Sequence, residues 1–153
     1  MAKAIATFDR TLNTPNSRFD RYLRGDLKAL NEKEKEGMKA FVDTGCIACH
    51  RGPALTDSNY HRFEVPGSTD EGLFVVTGNE SDRFKFKTPT LRNVAVTYPY
   101  FNNGSVEELD KAIELMADQM LNRELSDEKV EQIEAFLHTL TGEMPDVSFP
   151  ALP

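Results

Sequence analysis

Tryptophan is absent from this chain, cysteine occurs only twice, histidine three times, and no apolar run approaches membrane-spanning length. Each scarcity removes a class of explanation. A structural zinc site takes about four Cys and His ligands, and His61 and His138 are not spaced to complete one. A thioredoxin-like use of paired cysteines needs a βαβ setting, and no such pattern is found. A membrane-crossing helix needs about 18 or more consecutive apolar residues, so none is expected. No Lys- or Arg-led apolar stretch opens the chain, so no signal peptide is read, and a mature form or a fragment is expected. No basic patch interleaved with aromatics is present, which argues against nucleic-acid binding. No internal repeat and no low-complexity segment is recognised.

What is present is concentrated in five residues. Both cysteines fall in Cys46-Ile47-Ala48-Cys49-His50. C-x-x-C-H is the attachment signature of c-type haem. Two thiols add across the two porphyrin vinyl groups, and two intervening residues let one turn present both sulfurs to one ring edge. The next residue is then directed at the iron, where His50 supplies the proximal nitrogen. One covalent haem c is therefore expected. Thioether attachment takes place on the far side of the bacterial inner membrane, so export to the periplasm is implied. At 153 residues the chain reads as one domain. A bound haem would offer a large apolar surface to its ten phenylalanines.

The net charge of −7 is unevenly placed: the segment Ser105–Ala135 holds ten acids against Lys111, Arg123 and Lys129. This reads first as a solvated helix face, and second as an acidic surface that steers a basic redox partner. Helices are expected over Ala2–Leu12, with Ile5, Phe8 and Leu12 on one face, and from an Asn31 cap to about Asp43, with a Met38-Phe41-Val42 stripe. Between them, Phe19, Tyr22 and Leu23 are read as packing inward. Arg51–Arg92 reads as a long haem-wrapping loop with a short strand at Leu73–Thr77. A third helix is expected to open on a capping box, Ser105-Val106-Glu107-Glu108, with Leu109, Ala112, Ile113 and Met116 inward. Ser126 caps a fourth, with Val130, Ile133, Phe136, Leu137 and Leu140 buried and Gly142 as its stop.

Five methionines compete for the iron's other side. Met1 is terminal, Met144 sits in a Pro-rich tail, and Met38 reads as core. Met116 and Met120 lie one turn apart on the third helix, and Met116 also falls on the apolar stripe. His61 is a rival that reads as an ordinary loop histidine, and His138 reads as solvent-facing.

Longer stretches carry a resemblance. Ala4-Ile5-Ala6-Thr7-Phe8-Asp9-Arg10-Thr11-Leu12, Pro15-Asn16-Ser17-Arg18-Phe19-Asp20, the haem motif, Phe86-Lys87-Thr88-Pro89-Thr90-Leu91-Arg92-Asn93, Tyr98-Pro99-Tyr100-Phe101 and Ala135-Phe136-Leu137-His138-Thr139-Leu140-Thr141-Gly142 resemble the C-terminal half of the bacterial di-haem cytochrome c peroxidases. The resemblance implies a high-potential, electron-transferring haem with His/Met ligation, its methionine matching Met116. It implies a calcium ion between domains, held in part by backbone carbonyls matching Thr97 and Pro99. The peroxidatic haem and its acid/base residues belong to the other half. Asn102-Asn103-Gly104 stands where the family commonly has His-Asp-Gly, which leaves only the turn chemistry. Met1 matches a position inside the longer family chain.

These readings combine into one expectation. The fold is mostly α, a class I-like cytochrome c domain with a long haem-wrapping loop. Residues 1–31 are an N-terminal helix and extension, 32–142 the haem-binding core, and 143–153 a Pro-rich tail. The function is electron transfer from a small cytochrome or copper protein to a peroxidatic haem domain or second subunit, with a homodimer as one assembly. The alternatives are a self-sufficient mono-haem peroxidase or peroxide sensor, and a stand-alone electron carrier.

Overall fold

The computed structural model describes residues 2–147. Met1 and the last six residues of the Pro-rich tail lie outside the described residues.

Two helices form the centre. Asn31 caps α3 (Glu32–Thr44): its side chain accepts from the Glu34 amide while the Glu34 carboxylate accepts from the Asn31 amide. Gly45 ends α3 in the left-handed conformation, φ 109°. Ser126 caps α6 (Asp127–His138), as expected. The two cross so tightly at Gly37 that a Cβ there would run into the Gln132 carbonyl. Around this crossing Phe41, Ile133, Phe136, Leu137 and Leu140 are buried. Each such side chain contributes about 1.5–3 kcal/mol through burial. Phe136 takes the ring of Phe19 edge-on, with centroids 5.3 Å apart, and that of Phe41 at 5.4 Å. The α3 stripe is Gly37-Ala40-Phe41-Thr44, with Met38 packed beside it. Val42 is exposed instead of inward.

A third long helix, α5 (Leu109–Leu121), packs on α6 and buries Leu109, Ala112, Ile113 and Ala117. It does not open on the expected Ser105 box. Its first turn follows Glu108 with no side-chain cap, because the backbone at Val106 is taken by Tyr100, whose amide donates to the Val106 carbonyl at 2.6 Å.

The segment between Arg51 and Arg92 is a loop with short elements. β1 (Tyr60–Arg62) pairs antiparallel with β2 (Lys85–Lys87), placing His61 opposite Phe86. The expected strand at Leu73–Thr77 is instead one helical turn, α4 (Phe74–Thr77). Gly78 closes it at φ 65°, the Phe74 ring lies under the Arg83 guanidinium at 3.8 Å, and Val75 and Val76 face outward with no strand to pair with.

At the N-terminal side, α1 (Ala2–Asp9) is shorter than expected and leaves Ile5, Phe8 and Leu12 exposed. α2 (Arg18–Leu23) is capped by Ser17. It turns Phe19 inward but leaves Leu23 exposed. Arg18 forks onto the buried Glu34 carboxylate at 2.6 and 2.5 Å and donates to the Ala29 carbonyl, tying this segment to the start of α3. Gly142 is not the stop of α6, which ends at His138 with Thr139 as cap. It is a contact point where a Cβ would meet the Thr14 carbonyl.

Among the described residues the fold is thus mostly helical with two short strands. The Gly37 crossing makes a checkable outcome. Gly37→Ala should separate α3 from α6 and destabilise by about 1–3 kcal/mol, lowering the thermal midpoint by several degrees. Lys39→Ala, exposed on the same helix, should stay within about 0.5 kcal/mol. Circular dichroism melts check both.

Candidate functional site

The left-handed Gly45 turns the chain at the end of α3 into a tight turn, Cys46–Ala48. The His50 amide donates back to the Cys46 carbonyl at 3.0 Å, which holds the three motif side chains together. Neither thiol is in a disulfide. Burial pushes both up from the ordinary thiol value, with Asp57 adding to the effect at Cys49. Burial also pushes His50 below the ordinary histidine value, so the imidazole is neutral near neutral pH. Its Nδ1–H donates to the Leu55 carbonyl at 3.2 Å. That bond assigns the tautomer and leaves Nε2 free to ligate a metal.

Leu55 went unnoticed in the sequence. It is buried, adopts φ 50°, and closes a turn with its amide donating to the Gly52 carbonyl. The stretch Phe86–Asn93 clamps that turn from outside. Thr90 donates to the Ala54 carbonyl at 2.5 Å, and Arg92 donates twice to the Pro53 carbonyl at 2.9 and 2.7 Å. The other end of Arg92 meets Asp20 at 2.7 Å and Ser17 at 3.2 Å. No short-range signal marks a carbonyl as an orienting group, but the repeated Thr and Arg of this stretch are what hold it.

The motif opens on a cavity of about 500 Å³ whose other walls come from the β1–β2 loop and α5. Met116 and Met120 both line it. Met38 packs against the core and Met144 is exposed. Two unpaired thiols on one turn, an oriented neutral imidazole beside them and two thioethers on the same apolar cavity form a donor set that fits a covalently attached haem.

His61 is more than an ordinary loop histidine. It stands on β1 at the cavity wall, its Nε2 2.8 Å from Asp57 Oδ2. The Asn59 backbone amide, followed by His61, holds the Asp57 carboxyl well below the usual range. The ligand atoms of Cys49, Asp57 and His61 lie within 4.8 Å of one another. His138 is exposed beside Glu134, as expected. Thr97 and Pro99 line the rim of the cavity with Tyr100 and Phe101, while Tyr98 points outward. Asn102-Asn103-Gly104 keeps its turn: Asn102 donates to Asp70 at 2.8 Å, the Ser105 amide donates to Asn103 at 3.1 Å, and Gly104 has φ 61°.

A Cys-x-x-Cys-His turn facing an apolar cavity in a small helical fold defines a c-type cytochrome domain. A family model described as Cytochrome c matches residues 34–141, and one described as Di-haem cytochrome c peroxidase matches residues 1–28. The chain is 49% identical to the cytochrome c551 peroxidase of Nitrosomonas europaea over 98% of this chain and 46% of that protein. It is 46% identical to that of Pseudomonas aeruginosa over 100% and 46%. Among solved structures, a MauG-like protein associated with microbial copper homeostasis superposes with a TM-score of 0.73 at 27% identity, covering 84% of this chain and 49% of that one. The chain belongs to the cytochrome c family and corresponds to the C-terminal haem domain of the bacterial di-haem cytochrome c peroxidases. It spans about half the length of the curated relatives it matches. Membership in this family brings a covalently bound haem c. Among the described residues no helix is long and apolar enough to cross a membrane.

The clamp on the Leu55 turn has a pH signature. Burial opposes the charge of Asp20, but the Ser17 hydroxyl and the Arg92 guanidinium outweigh it and hold the carboxyl below its ordinary value. A depressed folded value means that the ionised carboxylate stabilises fully above about pH 4 and that this is lost as pH falls through the folded value. Asp20→Asn should therefore melt below wild type at pH 7, with the two curves converging as pH falls below the ordinary carboxylate value of about 4. Melting midpoints measured across that range check it.

Proposed function

We propose that this chain is the electron-transferring half of a di-haem cytochrome c peroxidase, with one haem c joined through Cys46 and Cys49 and its iron held between His50 and Met116. The observation that carries the reading is that the oriented His50 and the α5 thioethers line one apolar cavity. When bound, the haem supplies a one-electron iron couple that a Met/His ligand pair raises in potential. The protein's own part is positional. Leu55 fixes the ring orientation and tautomer of His50, the clamp from Arg92 and Thr90 stiffens that turn, and the apolar lining excludes water. Met116 is favoured over Met120 by its place on the stripe with Leu109, Ala112 and Ile113 and by the family resemblance.

In this reading the electron donor is a small cytochrome or copper protein, and the acceptor is a peroxidatic haem domain or second subunit. A homodimer and a periplasmic location complete it. The Thr97 and Pro99 carbonyls bind calcium only together with the other domain, because a calcium ion takes six to eight oxygens.

A second reading, a self-sufficient mono-haem peroxidase or peroxide sensor, is favoured by one feature: the His61–Asp57 pair at the cavity wall is an acid/base pair. Against it, Asp57 is engaged by Asn59, and the pair stands beside Cys49 rather than with α5.

Met116→His should keep the iron low-spin and lower its potential, while Met120→Leu should leave the spectrum nearly unchanged. High-spin iron from the Met120 change with none from the Met116 change would move the ligand one turn along α5. Peroxide reduction by this chain with a reduced cytochrome donor should be poor, since His50 and Met116 would both hold the iron and leave no place for peroxide. Turnover on the order of 10 s⁻¹, ordinary for an enzyme, would favour the mono-haem peroxidase.

A further inference from the structure

The cavity facing the Cys-x-x-Cys-His turn is apolar, yet a haem carries two propionate carboxylates. An ionised carboxylate is costly to bury without a partner, so the wall has to offer a donor where a propionate lies. Among the described residues that wall holds no Asp and no Glu. Its polar side chains are nearly all committed to the protein itself. His50 donates to the Leu55 carbonyl, and His61 meets Asp57 at 2.8 Å. The Thr88 hydroxyl is bonded to the same Asp57 carboxylate. Thr90 Oγ1 donates to the Ala54 carbonyl, and Thr97 Oγ1 and Tyr100 Oη both donate to the Val94 carbonyl, at 3.2 and 3.1 Å. Asn102 donates to Asp70. The two thiols are taken by the thioether bonds.

Lys87 is what is left. It ends β2, lines the cavity and is exposed, which puts it at the mouth. Among the described residues it is the only Lys or Arg on that wall, and no carboxylate lies within ion-pair distance of it. The cations beside it along the chain are committed: Lys85 to Asp82 at 3.0 Å, Arg83 to Glu71 and Glu80, and Arg92 to Asp20. The backbone under Lys87 is held in place. Tyr60 is its partner in the β1–β2 pair, and the next residue, Thr88, is buried with its amide donating to the Asn59 carbonyl at 2.8 Å. An ammonium has three donors and no acceptor, so at a cavity mouth it can meet a carboxylate and water together.

We propose that Lys87 is the propionate-binding residue of this haem site, its ammonium pairing with one propionate at the cavity mouth. The pair has a second effect. A positive charge on that side opposes ferric iron more than ferrous iron, so Lys87 raises the reduction potential. The inference rests on the covalent haem that family membership brings. It does not rest on Met116 or on the direction of electron flow: a wrong axial ligand would change the spin state and leave the propionate signals where they are.

The test uses the haem-loaded chain and three variants, Lys87→Gln, Lys87→Arg and Lys85→Gln. Resonance Raman spectra read the propionate bending band, and redox titration reads the iron midpoint. Lys87→Gln should shift the propionate band and move the one-electron equilibrium about two- to five-fold towards ferric iron at low salt, less as salt is raised. Lys87→Arg keeps the charge and the donors to a carboxylate, and should restore most of both readings. Lys85→Gln should change neither, because that charge belongs to Asp82. The proposal is overturned if Lys87→Gln leaves the propionate band in place, even where the potential moves, since that marks a field without a contact. It also falls if Lys85→Gln shifts both readings as far as Lys87→Gln does, or if Lys87→Arg behaves like Lys87→Gln.

Discussion

The approach of α3 to α6 at Gly37 is the constraint from which the site follows. Only a residue without a Cβ lets the α3 backbone rest against the Gln132 carbonyl. That closeness seats Phe41 against Phe136 and sets the direction of α3. The haem-attachment turn begins one residue after α3 ends. Any tilt of α3 would therefore be felt directly at Cys46, Cys49 and His50. Helix interiors are close-packed and transmit strain rather than absorb it, so the crossing acts on the site as well as on stability.

A second layer converts position into orientation. His50 is half-buried and neutral, and its Nδ1–H is directed by the Leu55 carbonyl. Leu55 sits in a loop, where precision is ordinarily low. Here the loop is held from two sides: Thr90 and Arg92 bind the carbonyls just before Leu55, and Arg92 is in turn fixed by Asp20 and Ser17 on the N-terminal segment. A chain of hydrogen bonds thus runs from α2 to the imidazole. It explains why a long segment with few regular elements can form a defined cavity wall.

The chain contains unequal parts. Residues from about 13 onward are bound into one helical unit by the Arg18–Glu34 pair, the Phe19–Phe136 contact and the packing at Gly142. Among the described residues, no hydrogen bond or ion pair ties residues 2–12 to anything beyond residue 13.

How much was legible beforehand follows from the range of each interaction. The haem motif, the Asn31 and Ser126 caps and the buried stripe of α6 depend on residues within a few positions of one another, so the sequence alone determines them. The helical turn at Phe74–Thr77 and the late start of α5 were misread because they hinge on contacts with Arg83 and Tyr100, distant enough in sequence to leave no periodic mark. Likewise, His61 reached the cavity wall only through the pairing of Tyr60–Arg62 with Lys85–Lys87. Leu55 gained its role because folding set its carbonyl against His50. Covalent chemistry and capping are local and can be read from spacing. Which carbonyl orients an imidazole, and which apolar face finds a partner, are decided by the assembled structure, because burial and hydrogen-bond geometry belong to neighbours that the chain brings together only by folding.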